Sequence, residues 1–191
     1  MRKQIIVIGL TFALGALTSI ALAWRLQQQH DPEPLHDPAE PRAVATTGPS
    51  SRALLVPVAG VEADDLRDTF DDARGGGRPH EAIDIMAPRG TPVLAVEDGV
   101  IQKLFTSDAG GLTIYQFEPS GAFTYYYAHL DRYADGLREG LQVRRGDVIG
   151  YVGSTGNASP DAPHLHFAMF RQTPEHQWWK GDPINPYPLL K

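Results

Sequence analysis

The sequence predicts an all-β domain, preceded by an apolar helix and a proline-rich tether. From residue 53 onward, short runs of β-branched and aromatic residues recur about every ten residues, separated by Gly, Asp and Ser. Before that point lie one long apolar run and one stretch rich in proline. We therefore expect three parts: a signal anchor or signal peptide at 1–24, a flexible linker at 25–52, and one folded domain at 53–191.

The apolar run from Ile5 to Ala23 is predicted to be a helix that enters a membrane. At about 1.5 Å per residue it would span roughly 28 Å, close to the ~30 Å of a bilayer core. Arg2 and Lys3 before it favour an amino terminus that stays inside. Two alternatives remain open, an uncleaved signal anchor or a signal peptide cleaved after Ala23. Either one predicts an extracytoplasmic domain, anchored in the cytoplasmic membrane or secreted into the periplasm or cell envelope.

The stretch from residue 31 to residue 50 contains five prolines among Asp, Glu, Ala and Thr. Too few apolar side chains are present to bury a core, so we expect an extended tether. Such a tether would let an anchored domain act at a distance from the membrane.

Composition excludes several classes of function. The net charge of -6 argues against a nucleic-acid partner, because binding phosphates requires a basic face. The chain has no cysteine, which excludes disulfides, thiolate nucleophiles and thiolate metal sites. Any metal ion must therefore be held by His, Asp or Glu.

Four segments of the domain are predicted to contain its main strands. They read TPVLAVEDGVIQKLF (91–105), GLTIYQFE (111–118), FTYYYAHL (123–130) and DVIGYVGSTG (147–156). The acidic segment 62–74 is predicted to be a short helix, and residues 181–191, with three prolines, are predicted to be an irregular tail on the domain.

Three segments place histidines where they could carry chemistry. In PHLHF (163–167), His164 and His166 would share one face of a strand, while Leu165 and Phe167 face the core. This arrangement suits metal binding, proton transfer or both.

The other two segments contain His80 with Asp84, four residues apart, and His129 at the end of an aromatic strand. One imidazole and one carboxylate suit a cation such as zinc. Strict alternation would place His129 on the same face as Tyr125 and Tyr127. Taken singly, each histidine is more often a hydrogen-bonded structural residue. Their joint occurrence in the strand-rich part of the chain favours a site.

The segment from about His80 to Phe167 resembles the lysostaphin/LytM-type zinc endopeptidases, which cut peptidoglycan cross-bridges. The family's motifs appear in order as HEAID, GTPVLAVEDGVI, YYAHL, GSTG and PHLHF. The resemblance implies the antiparallel fold of that family (a barrel-sandwich or duplicated hybrid motif), a single Zn²⁺, and peptidoglycan as substrate. It implies that the metal ligands are His80, Asp84 and His166 and that the catalytic pair is His129 and His164. Which member of the pair is the base stays open.

Three departures from the family pattern stand at Ala82, Ala162 and Ala168, and none removes a site residue. Ala82 replaces a glycine, and its methyl group is expected to alter the metal loop or the width of the groove.

Two other functions compete with a zinc endopeptidase. One is a non-catalytic module of the same fold that binds peptidoglycan or activates an amidase. The other is a carrier domain, which would need a modifiable lysine on a tight hairpin, whereas Lys103 lies inside a predicted strand.

Overall fold

A computed structural model describes residues 53–74 and 77–190, and the following applies to those residues. Nine strands and two short 3-10 turns make up the regular structure. The strands are β1 (Ile83–Met86), β2 (Pro92–Leu94), β3 (Gly99–Ser107), β4 (Gly111–Phe117), β5 (Phe123–Tyr133), β6 (Gln142–Val143), β7 (Val148–Val152), β8 (His164–Gln172) and β9 (Gly181–Ile184). The four segments predicted to contain strands all do, and the all-β prediction is confirmed.

The strands pair antiparallel throughout the sheet. Six lie side by side in the order β1-β8-β5-β4-β3-β6; β7 joins β2 to one end of β5, and β9 is added to β8. Since β8 lies between β1 and β5, the strand with the histidine doublet adjoins the strands that carry Asp84 and His129. The topology therefore gathers the three chemical segments of the sequence.

The core behind these strands is aromatic and aliphatic, as the alternation predicts. Leu165 and Phe167 on β8 are fully buried, and the rings of Tyr125 and Tyr127 on β5 pack against Phe167. The buried phenols are satisfied, because Tyr127 donates a hydrogen bond to Gln116 Oε1 at 2.8 Å and Tyr125 donates one to Glu97 at 2.6 Å. Burying each such ring contributes roughly 2–3 kcal/mol.

The helix predicted at 62–74 is wrong. Only a 3-10 turn at Ala63–Asp65 forms there. Aspartate side chains in this segment bond to nearby backbone N–H groups, which competes with a helical ladder. Asp68 Oδ1 accepts from Phe70 N at 3.2 Å, and Asp65 Oδ2 accepts from Glu62 N at 3.3 Å. The segment packs next to the histidines instead.

The prediction of an irregular carboxy-terminal tail is wrong in part. Residues Gly181–Ile184 form β9, which pairs with β8 from Met169 to Gln172. A 3-10 turn follows at Tyr187–Leu189, and Leu190 then bridges to Leu54. The tail thus joins the two ends of the domain.

Two further expectations concern the carrier-domain alternative and the membrane helix. Lys103 lies inside β3 and forms an ion pair with Glu139 at 2.7 Å, which does not fit a carrier lysine on a hairpin tip. Across 53–74 and 77–190 no helix has the length and apolar character needed to cross a bilayer. The leader predicted at 1–24 and most of the linker at 25–52 lie outside the described residues.

Candidate metal centre

His80, Asp84 and His166 meet where β1 pairs with β8. Asp84 on β1 lies directly opposite His166 on β8. His80 precedes the strand, and the chain turns into β1 at Glu81, which has a left-handed φ of 57°. The left-handed conformation thus falls at Glu81, and Ala82, where the family has glycine, is completely buried.

The ligand atoms of these three residues form a small triangle. His80 Nε2 and His166 Nδ1 are 3.0 Å apart. Asp84 Oδ1 lies 3.1 Å from each of them. Ligand atoms at 2.0–2.1 Å from a tetrahedral zinc ion lie roughly 3.3 Å from one another, so these donors would open by only about 0.3 Å. The set of two imidazoles and one carboxylate fits a three-ligand zinc site.

Thr69, from the segment 62–74, holds the first two ligands in place. Its carbonyl oxygen accepts a hydrogen bond from His80 Nδ1 at 2.9 Å. Its hydroxyl oxygen accepts from the backbone N–H of Asp84 at 3.2 Å. The first bond fixes the tautomer of His80 with the Nε2 lone pair free to bind, which is the usual outer-shell support of a metal-binding histidine.

Arg74 places a positive charge in the same centre. Its Nη2 donates to Asp84 Oδ2 at 2.5 Å and also contacts His80 Nε2. The guanidinium therefore uses lone pairs that a metal ion would need. Because its side chain is 46% exposed, it can move out toward solvent without losing much packing.

The charge states of the ligands suit a cation. Burial raises the pKa of the Asp84 carboxyl, but the adjacent imidazoles of His166 and His80 outweigh burial and hold that pKa far below its usual range. Burial lowers the pKa of His166, and the Asp84 carboxylate offsets this only in part. At neutral pH the centre therefore presents an ionised carboxylate and a neutral His166 imidazole, the forms that bind metal.

His129 reaches the centre through an irregular backbone, and the alternation predicted for it is wrong. It has a φ of 61°, next to a shift in the register between β4 and β5. This local twist turns its imidazole away from the core and toward the doublet, with ring centroids 4.9 Å from His164 and 5.6 Å from His166. Its Nδ1 donates to the carbonyl oxygen of Thr155 in the GSTG loop at 2.9 Å.

His164 completes the group on the same face of β8 as His166. Its Nδ1 donates to the carbonyl oxygen of Ala162 at 2.8 Å, and its Nε2 lies 3.8 Å from Asp84 Oδ1. Burial lowers the pKa of His129 to about 4 despite the bond to Thr155. At neutral pH His129 is therefore uncharged, with its Nε2 lone pair free.

The structure thus brings together all five residues that the resemblance singled out, and it adds two that the sequence did not indicate. Thr69 and Arg74 lie in the segment predicted to be a helix. A glycine run after Arg74 could have signalled a turn back toward His80, but nothing in the spacing marks either residue as functional. His176, which lies outside the three histidine segments, is exposed.

Comparison with known proteins supports the same family. The model of Peptidase family M23 matches residues 78–186. The L-Ala–D-Glu endopeptidase of Bacillus subtilis is 36% identical over 132 residues, which cover 65% of this chain and 39% of that protein. Glycyl-glycine endopeptidase ALE-1 of Staphylococcus capitis is 34% identical over 116 residues, covering 60% of this chain and 30% of that protein. The chain therefore spans well under half the length of these relatives.

A solved structure agrees with the fold. The catalytic domain of lysostaphin from Staphylococcus simulans superposes with a TM-score of 0.55 at 29% identity, over 66% of this chain and 92% of that domain. The family resemblance drawn from the motifs and the antiparallel sheet are both confirmed. Since the family model matches more than half of its length, the chain belongs to peptidase family M23.

Proposed function

We propose that this protein is a zinc-dependent endopeptidase that hydrolyses peptide cross-links or stem peptides of bacterial peptidoglycan outside the cytoplasm. The observation that carries the proposal is the convergence of three possible metal-ligand atoms 3.0 to 3.1 Å from one another, beside two more imidazoles. The names of the two curated relatives, both endopeptidases, support the reaction type.

His80, Asp84 and His166 would hold one zinc ion per domain. When bound, such an ion polarises a carbonyl group and lowers the pKa of a water molecule from 15.7 toward about 7. The three ligands carry a single negative charge, so the loaded centre would keep a net positive charge toward its open side.

His129 and His164 would manage protons beside that centre. Each uses its Nδ1–H in a bond to a backbone carbonyl oxygen, which leaves the Nε2 lone pair available. The imidazole of His129 is neutral at physiological pH, so it can take a proton from the attacking water and return one to the departing amine. His164, nearer to Asp84, would orient the water or stabilise the developing oxyanion.

The test measures metal content and cleavage in parallel on the full-length protein. We expect about one zinc per chain and release of soluble fragments from purified cell walls. The His166→Ala variant should lose zinc and cleavage together, while His129→Ala should keep zinc and lose cleavage. His176→Ala, at an exposed histidine outside the centre, is the matched control.

The results separate the proposal from its main alternative. A protein that binds walls, holds no zinc and releases nothing would be a non-catalytic module, which binds peptidoglycan or activates an amidase. Retention of zinc by the His166→Ala variant would contradict the ligand set.

A further inference from the structure

A row of aromatic side chains leads away from the candidate metal centre. Tyr126 presents its ring to the edge of His166, with centroids 6.0 Å apart. Tyr115 follows at 4.7 Å from Tyr126, its partner across β4 and β5. Trp178, in the loop between β8 and β9, lies 4.8 Å from Tyr115, and Trp179 lies 5.1 Å beyond it. We call Tyr126, Tyr115, Trp178 and Trp179 the aromatic row.

The far end of the aromatic row is open to solvent. Trp179 is 60% exposed, and Phe105, whose ring packs on Trp178 at 5.4 Å, is 40% exposed. Trp178 is fixed by Tyr115 and Phe105, so the loop that carries Trp179 is held against the sheet. Leaving most of an indole in water forgoes the stabilisation that burial would give. Packing therefore accounts for Trp178 but not for the position of Trp179.

We propose that the aromatic row binds the sugar chain of the polymer whose peptides reach the metal centre. The inference rests on the proposed function, since it assigns a second part of the same substrate. Pyranose rings present a flat face of C–H groups, which packs well on the electron-rich face of an aromatic ring. The phenol O–H and indole N–H groups can bond to sugar hydroxyl and acetamido groups.

The shape of the row favours a sugar chain over a protein partner. Stable protein interfaces bury about 800 Å² on each side, whereas only Trp179 and the adjacent Phe105 are exposed among these rings. The spacing of the row is regular, with steps of 4.7 to 6.0 Å from His166 to Trp179. If the path from His166 to Trp179 were straight, a peptide of about six extended residues, at ~3.3–3.6 Å each, would span it. A peptide held at the metal centre can thus stay attached to a sugar chain at Trp179.

The first experiment measures sugar binding without any cleavage. Titration calorimetry of the full-length protein with a peptide-free β-1,4-linked N-acetylglucosamine hexamer should show binding. Trp179→Ala should weaken it at least tenfold, and Trp179→Phe, which keeps a ring, should weaken it less. Tyr187→Ala is the matched control, because Tyr187 is 36% exposed and lies outside the row. No binding by the unaltered protein, or equal binding by Trp179→Ala, would overturn the inference.

The second experiment compares two substrates, intact cell walls and cross-linked peptides freed of sugar. Trp179→Ala should slow release from intact walls at least fivefold more than it slows cleavage of free peptides. Equal slowing on both substrates would refute a sugar site. Sedimentation equilibrium tests whether a second copy of this chain binds the aromatic row instead. If the protein self-associates, Trp179→Ala abolishes the self-association and no sugar binds, the row is a contact between two copies. Failure of the proposed function leaves the calorimetric result intact, so the two proposals fail separately.

Discussion

Replacing His129 by glycine should leave the protein more stable than replacing it by alanine, the reverse of the usual order in a strand. His129 has a φ of 61°, where a residue with a Cβ atom pays roughly 1–2 kcal/mol. Glycine avoids that cost, but it lowers the free energy of unfolding by about 0.4–1 kcal/mol because it raises the conformational entropy of the unfolded chain. The free energy of unfolding of the glycine variant should therefore exceed that of the alanine variant by about 1 kcal/mol. The lost imidazole and its bond to Thr155 affect both variants equally.

Urea unfolding in the presence of a chelator measures this difference free of any metal contribution. His164 supplies the control, because it lies in β8 with no positive φ. There His164→Gly should be less stable than His164→Ala by about 0.5–1 kcal/mol. If alanine at 129 proves as stable as glycine or more so, the conformation at His129 is not the one that orients its imidazole.

Three further outcomes are expected. Arg74→Ala should bind zinc about fivefold more tightly, since a partly exposed ion pair worth about 1 kcal/mol no longer competes; Arg67→Ala removes the same charge from the same segment and should leave affinity unchanged. Zinc content should fall with decreasing pH only below about pH 6.5, because the lowered pKa of His166 keeps its imidazole neutral above that pH. Below it, protonation of the imidazole displaces the metal. Full zinc content at about pH 4.5 would contradict this. Gly156→Ala should cost about 3 kcal/mol or more in urea unfolding, because its Cβ would meet backbone of the neighbouring loop, while Gly60→Ala, with a similar φ and open space, should cost only about 1.

The sheet was predictable from the sequence because most strands alternate or bury aromatic and β-branched side chains. In β8 the buried Leu165 and Phe167 alternate with the two histidines, and that pattern alone predicts a half-buried strand. β9 was missed for the opposite reason. Its sequence, GDPI, has no apolar alternation and includes Pro183, so it becomes a strand only by pairing with the edge of β8. Tertiary pairing of this kind leaves no local signal.

The candidate site, like the sheet, was predictable only in part. Residue type and spacing pointed to the histidines and Asp84 as candidates, and the family resemblance implied the role of each. How His129 turns toward the site was not predictable, since alternation assumes a regular strand and its left-handed backbone departs from one. Arg74 was missed because an arginine in a short acidic segment looks solvated, and only the fold reveals that it contacts His80 and Asp84.

The core and the candidate metal centre depend on one and the same strand register. With Asp84 opposite His166, the pairs Ile83 with Phe167 and Ile85 with Leu165 fall on the buried face. A slip of one residue would set Asp84 opposite Leu165 or Phe167 and turn one strand's apolar set toward solvent. Each of those side chains contributes roughly 1.5–3 kcal/mol when buried, so the slip is strongly disfavoured even with no metal bound. The apolar residues that alternate with Asp84 and with the two histidines of β8 therefore hold the candidate ligands in place independently of any metal.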